Sequence, residues 1–425
     1  MKRLLLILCL AGLGTAARAQ FFDKIKNKVN QKVNEALDGK SKKKSDKKTA
    51  DSTAAKPADS TAPAAEGATP ATNAAPASQP EDIKSYSKFD FVPGEKIIVA
   101  EDFAQDAIGE FPDKWNTKTG AEVVTLNNRP GKWLAMKQDG VFFPEYIPEL
   151  PENFTLQLDM ICNNEVSSIA SFIVALANTN STEQKFDLTN GTNSISVPGI
   201  KVNMDPVSSG SGAFSYSTNI LGSTSLRDLS EWQINGRNFA TLSIWRQKTR
   251  IRLYINSTKL LDLPRALEPG ALLNTLAFGA YAVDYGKKGG VFYIGNIRLA
   301  VGAPDTRNKL ITEGKFVTHG ILFDVNSDQI KAQSFGALQD IANTLKENAA
   351  VKVKIVGHTD SDGEDAANLD LSKRRAEAVK TMLSTNFGID AARMTTEGKG
   401  ESQPIDSNET STGKANNRRV EFIRS

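Results

Sequence analysis

The chain has 425 residues, 40% of them apolar, enough for two or three domains with proper cores. Of its 52 basic residues, Lys2, Arg3 and Arg18 fall in the first nineteen positions, and removing those three leaves 49 against 49 acidic residues. A balance of that kind excludes a general nucleic-acid binder, and Cys162, alone once Cys9 leaves with the leader, excludes an intramolecular disulfide.

Residues 1–19 read as a secretory signal: Lys2 and Arg3, an apolar run from Leu4 to Leu13, then Ala17-Arg18-Ala19 as the cleavage site before Gln20. The run is too short for a retained membrane helix, and nothing later reaches the ~18 apolar residues such a span needs. Cys9 lacks the small preceding residues of a lipoprotein site, and the signal is read as unlipidated. In residues 20–40, Phe22, Ile25, Val29, Val33 and Leu37 recur at helical spacing, which predicts an amphipathic helix. Residues 20–50 hold ten lysines against four acids, so the Phe21–Leu37 helix is expected to meet either an anionic outer-membrane surface or a partner protein. Residues 41–86 are rich in Ala, Pro, Ser, Thr and Lys and are expected to form a disordered linker. As a flexible chain it would span roughly 35 Å on average.

Residues 87–303 change character. Strand-like runs recur at Phe154–Met160, Ile169–Ala177, Ala240–Trp245, Ile251–Ile255, Leu276–Val283 and Val291–Leu299, separated by Gly, Asn, Asp or Pro turns. The pattern predicts an all-β sandwich. The segments EDFAQDAIGEFPDKW, RIRLYINSTKLLDLP and VFYIGNIRLA resemble the concanavalin A-like jelly rolls, including laminin-G-like domains. That resemblance implies a glycan as one possible ligand, with either binding or cleavage as its fate. Cleavage in such sandwiches commonly uses carboxyls on one strand, as in E-x-D-x-x-E, and the region contains neither that motif nor a histidine. Trp115, Trp133, Trp232 and Trp245 are expected in the core rather than stacked on sugar. Asp284-Tyr285-Gly286 reads as a turn before it reads as a calcium loop. A membrane barrel is the lesser alternative, because the near-continuous run Ile169–Ala177 and Arg246, Arg250 and Arg252 fit lipid-facing strands poorly.

Residues 305–425 are predicted to fold as a compact α+β domain. Ile321 and Phe323 mark a first strand ending in Asp324-Val325-Asn326-Ser327, and Leu338, Ile341, Ala342 and Leu345 the inner face of a helix. Val351, Val353 and Ile355 alternate with Lys352 and Lys354 as a strand. A polar loop with Asp360, Asp362 and Gly363 follows, then a helix with Ala376, Val379 and Leu383 on one stripe and Gly388 as its C-cap. Met394–Thr396 and Val420–Ile423 supply further strands. Asp360 at the strand's end and Arg375 beside the apolar stripe are brought to one rim.

The same residues carry a second resemblance. Gly357-His358-Thr359-Asp360, then Asn368, Leu371, Ser372, Arg375, Ala376, Val379 and Leu383, then Gly400-Glu401, Pro404, Asn408, Thr410, Gly413 and Asn417-Arg418-Arg419-Val420-Glu421 match the OmpA C-terminal family, with Lys414 where arginine is commoner. This resemblance implies binding of the diaminopimelate of the peptidoglycan stem peptide. Asp360 would accept from its ammonium and Arg375 would hold its carboxylate through a planar fork. Asn368 would fix the loop and donate to the ligand, Thr359, Asp324 and Asn326 would line the pocket, and Arg418 would reach glycan or a neighbouring carboxylate. His358 is expected to make a structural hydrogen bond, since no nucleophile or metal-ligand cluster accompanies it. No cofactor or metal is implied. The expectation is a non-enzymatic envelope protein, periplasmic and close to the outer membrane of a Gram-negative bacterium, that grips peptidoglycan and presents the sandwich. A wall-anchored glycan hydrolase or lyase is the alternative.

Overall fold

The computed structural model describes residues 89–425 apart from 190–193, 207–211, 228, 235, 287 and 303–304. The expected leader (1–19), basic helix (20–40) and linker (41–86) lie outside the described residues. In chain order the first strands are β1 (Lys96–Glu101), β2 (Trp115–Thr117), β3 (Ala121–Leu126), β4 (Arg129–Met136), β5 (Gly140–Pro144), β6 (Asn153–Cys162) and β7 (Ser171–Ala177). After a short helix α1 (Thr182–Asp187) come β8 (Gly199–Asp205), β9 (Ala213–Thr218), β10 (Gly222–Arg227), β11 (Phe239–Gln247), β12 (Arg250–Ile255), β13 (Thr258–Leu263), β14 (Thr275–Tyr281) and β15 (Phe292–Val301). They form two antiparallel sheets, one ordered β13-β12-β11-β6-β15-β4-β3 with β1 also on β15, the other β10-β9-β8-β7-β14-β5-β2.

Period-two alternation makes the core. Phe154, Leu156, Leu158 and Met160 of β6 point inward from the first sheet and join Phe172, Val174 and Leu176 of β7 in one buried cluster. The tryptophans are all interior, with Trp232 fully buried and the others at most 8% exposed, so none offers an open face to a sugar. Cys162 is also sealed, and burial pushes its thiol up to about 12, which leaves it unreactive. Two strand ends fall short of the sequence expectation by two residues. Ile169 is 54% exposed in a turn closed by the Ala170 amide on Ser167, and β14 stops at Tyr281 because Ala282 adopts a left-handed φ of +52°.

The C-terminal part contributes β16 (Lys315–Thr318), α2 (Phe335–Glu347), β17 (Val353–Gly357), α3 (Asp365–Thr385), β18 (Met394–Gly398), α4 (Ser411–Asn417) and β19 (Val420–Arg424). The sheet order is β16-β19-β17-β18, with β17 and β18 parallel and the other pairs antiparallel. Leu338, Ile341, Ala342 and Leu345 of α2 and Ala376, Val379 and Leu383 of α3 pack on Val353, Ile355 and Phe422. Gly388 closes α3 at φ +70° with its amide on the Ser384 carbonyl. The first strand lies earlier than expected. Lys315–Thr318 pairs with β19, whereas Phe323 makes only an isolated bridge to Ile330 and residues 321–327 are a loop. Ile321 is buried there without a strand around it, so its apolar side chain packs a loop.

Residues 88–425 form one compact unit. The outward face of β6 and β11 is polar yet buried: Thr155, Gln157, Thr241 and Ser243 are at most 7% exposed. Thr155 accepts from the Gly94 amide (2.9 Å), and Gln333 from the C-terminal part reaches the Thr241 hydroxyl (3.0 Å). Beside them Phe91, Trp245, Tyr254 and Ala337 form an apolar seam. Gly336 permits the close approach, since a Cβ there would lie 2.0 Å from the Phe91 carbonyl oxygen.

Candidate ligand-binding site

The site stands where β17 ends. At Gly357 a Cβ would come 2.3 Å from the Ser372 carbonyl oxygen, so only glycine lets α3 lie directly on the strand. The next three residues are pinned and nearly buried. The His358 amide donates to the Arg419 carbonyl (3.0 Å) and the Thr359 amide to the Gly400 carbonyl (3.0 Å), while Asp360 is 7% exposed. Arg375 rises from the edge of the α3 stripe toward the same rim.

Asp360 and Arg375 share the rim without forming an ion pair. The Asp360 Oδ2 is instead paired with Arg418 Nη1, and its Oδ1 accepts from the Asp362 amide (3.3 Å). Arg418 is thus engaged by one of the protein's own carboxylates. Arg375 donates from Nε to the Ser327 carbonyl (3.0 Å) and from Nη2 to the Asp324 carbonyl (3.4 Å), and its guanidinium lies 4.9 Å from the centre of the Phe323 ring. Among the described residues its Nη1 donates to no acceptor. Burial pushes Arg375 down to about 10, the Asp360 charge opposes that shift, and the Arg418 charge adds to it.

The other candidates differ in their surroundings. The Asn368 amide nitrogen, expected to donate to a ligand, is engaged by the carbonyls of Asp360 (3.4 Å) and Asp362 (3.1 Å) and by Glu401 Oε2 (2.5 Å). It fixes the loop. Asp324 meets Arg375 through its backbone carbonyl while its carboxylate faces Lys331 at 3.9 Å, and Asn326 supplies the turn of that loop at φ +52°. Thr359 Oγ1 is sealed and has no hydrogen-bond partner among the described residues. Among the described residues the His358 ring has no hydrogen-bond partner, and its Nε2 stands 3.6 Å from Glu421 Oε1. Asp284 accepts from the Gly290 amide (2.7 Å), which fits a loop-closing turn.

Other residues, known from the sequence only by their place in a motif, hold the site. Asn417 is fully buried and binds the Ile405 and Asp406 amides (2.8 and 3.0 Å), the Asp406 carbonyl (2.8 Å) and Asn408 (2.8 Å). Asn408 in turn accepts from the Ser361 amide (3.3 Å), and Lys414 pairs with Asp362 (2.7 Å). Two loops are thus tied around Asp360. Their fixed spacing in the sequence was the available signal.

Behind the rim lies Glu421, 4% exposed. Burial acts to raise its carboxyl, but His358, Lys315 and Arg419 outweigh burial and hold it far below the ordinary range. A depressed carboxylate adds stability above its unfolded value and loses it as pH falls through the folded one. Glu421→Gln is therefore expected to lower the urea midpoint at neutral pH, with the gap to the parent closing as pH drops below about 4. A gap constant across that window would contradict the assignment.

Residues 322–418 match the family model described as the OmpA family. Over 101 residues the chain is 39% identical to the outer membrane porin F of Pseudomonas aeruginosa, covering 24% of this chain and 29% of that one. Over 104 residues it is 41% identical to the probable lipoprotein YiaD of Escherichia coli, covering 24% and 47%. The chain thus spans less than half the length of these relatives. Among solved structures it is similar to the peptidoglycan-associated lipoprotein from Burkholderia pseudomallei at 28% identity and a TM-score of 0.25, covering 28% of this chain and 100% of that one.

Proposed function

Because residues 322–418 are an OmpA-family domain, we propose that this protein anchors non-covalently to peptidoglycan through the diaminopimelate of the stem peptide. The observation that carries this reading is the placement of Asp360 and Arg375 on one rim, each held by a rigid element and neither paired with the other. Diaminopimelate ends in an ammonium and a carboxylate on one carbon. The ammonium donates to Asp360, sharing that carboxylate with Arg418. The carboxylate lies against Arg375, whose stacking on Phe323 and bonds to the 324–327 loop fix the plane of the fork. Charge-assisted bonds on a partly desolvated rim contribute roughly 1.5–3 kcal/mol each.

The reading places the protein in the envelope of a Gram-negative bacterium as a non-enzymatic anchor that holds its β domain at the wall. Relatives named as outer membrane proteins support that location. The test is co-sedimentation of the full chain with diaminopimelate-type and lysine-type sacculi. Retention on the first alone, released by free meso-diaminopimelate, is expected; equal retention on both, or on neither, would refute the reading.

A further inference from the structure

Helix α4 is shared between the two parts of the molecule. It lies along β1, with Asn416 bonded to both the amide and the carbonyl of Ile97 (3.1 and 2.9 Å), Thr412 accepting from the Ala100 amide (3.0 Å) and Ser411 donating to Asp102 (2.8 Å). The same helix and the residue after it deliver Lys414 to Asp362 and Arg418 to Asp360. The end of the β domain therefore stands beside the proposed ligand rim.

Arg298 occupies that junction. In β15 it lies opposite Ala100 of β1 and opposite Gln157 of β6. It shares a face with Ala300, which packs on Ile97 and on Ala415 of α4. Arg298 is half-buried, and that burial pushes it down to about 10. The charge of Arg418 acts on it in the same direction, while Asp159 and Asp102 act the other way. Neither carboxylate bonds to it. Asp159 accepts from Thr241 (2.6 Å) and Asn296 (2.9 Å), and Asp102 accepts from Ser411 and the Ala104 amide (3.1 Å). Among the described residues no hydrogen bond or ion pair holds the Arg298 side chain. A half-buried guanidinium without a protein partner, on the strand paired with β1 and so beside the helix that carries Arg418, is open to an anion.

We propose that the β domain completes the stem-peptide site, with Arg298 receiving a second carboxylate of the same ligand, the free α-carboxylate of its D-glutamate. This rests on the diaminopimelate reading above. It makes the β domain part of the grip, and it adds selectivity for stem peptides whose D-glutamate is not amidated.

The experiment is a calorimetric titration of the full chain and of Arg298→Gln with three probes: free meso-diaminopimelate, L-Ala-γ-D-Glu-meso-diaminopimelate, and the same tripeptide with the glutamate α-carboxylate amidated. The parent is expected to prefer the acid tripeptide over the amide about tenfold, the worth of one charge-assisted contact. Arg298→Gln should treat both tripeptides alike and bind free meso-diaminopimelate as the parent does. A parent indifferent to amidation overturns the proposal without needing any variant. So does an Arg298→Gln chain that weakens all three probes together, which would mark Arg298 as a support of the fold. If the parent binds none of the probes, the diaminopimelate reading itself fails and takes this proposal with it.

Discussion

Asp360→Ala is expected to weaken stem-peptide binding at least tenfold, and Arg375→Lys to do nearly as much. The two losses differ in kind. Without Asp360 the ammonium of the ligand meets Arg418 and Arg375 with no anion between them, so repulsion replaces an ion pair. Lysine at 375 keeps the charge but cannot at once hold the Ser327 and Asp324 carbonyls, stack on Phe323 and present a fork to a carboxylate. Calorimetric titration with the tripeptide reads both effects. The pair should also be non-additive, because both residues bind one zwitterion. Binding unchanged by either replacement would move the site elsewhere.

Gly413→Ala should unfold the loop support and the site together. A Cβ at Gly413 would lie 1.9 Å from the Ser407 carbonyl oxygen, and what it meets is backbone rather than a flexible side-chain end. Either α4 or the 405–410 loop must shift, at a cost of about 1–3 kcal/mol for such overpacking. The displaced residues are those that hold Asp360: Asn417 binds Asn408, Asn408 binds the Ser361 amide, and Lys414 binds Asp362. The Thr410 cap on the Gly413 amide would be strained as well. A lowered urea midpoint accompanied by weaker tripeptide binding is the expected result. A midpoint within error of the parent would show that the loop yields freely.

The C-terminal helices and strands were legible because their apolar residues obey a helical or a two-residue period, as Leu338 to Leu345 and Val353 to Ile355 do. Ile321 and Phe323 broke the rule: one is buried in a loop, and the other lies under a guanidinium. The Asp360–Arg375 juxtaposition followed from a strand, a loop and a helix in sequence, but the Arg418 pairing did not. It depends on α4 and the loop before it bringing Arg418 back to the end of β17, a contact 58 residues away along the chain. The outward faces of β6 and β11 carry Thr155, Gln157, Thr241 and Ser243. They are buried where the segment before β1 meets Thr155 through the Gly94 amide and Gln333 of the C-terminal part meets Thr241, and no local pattern encodes that cover.

The most direct test is a map of amide and arginine Nε–H resonances of the isotope-labelled full chain as meso-diaminopimelate is added. The account predicts shifts confined to Thr359–Asp362, the 324–327 loop and the Nε–H of Arg375, with Arg418 responding as it shares Asp360. Shifts centred instead on the depression of about 520 Å³ lined by Lys137, Asp139, Ile169, Tyr281 and Tyr285 on the β domain would contradict it.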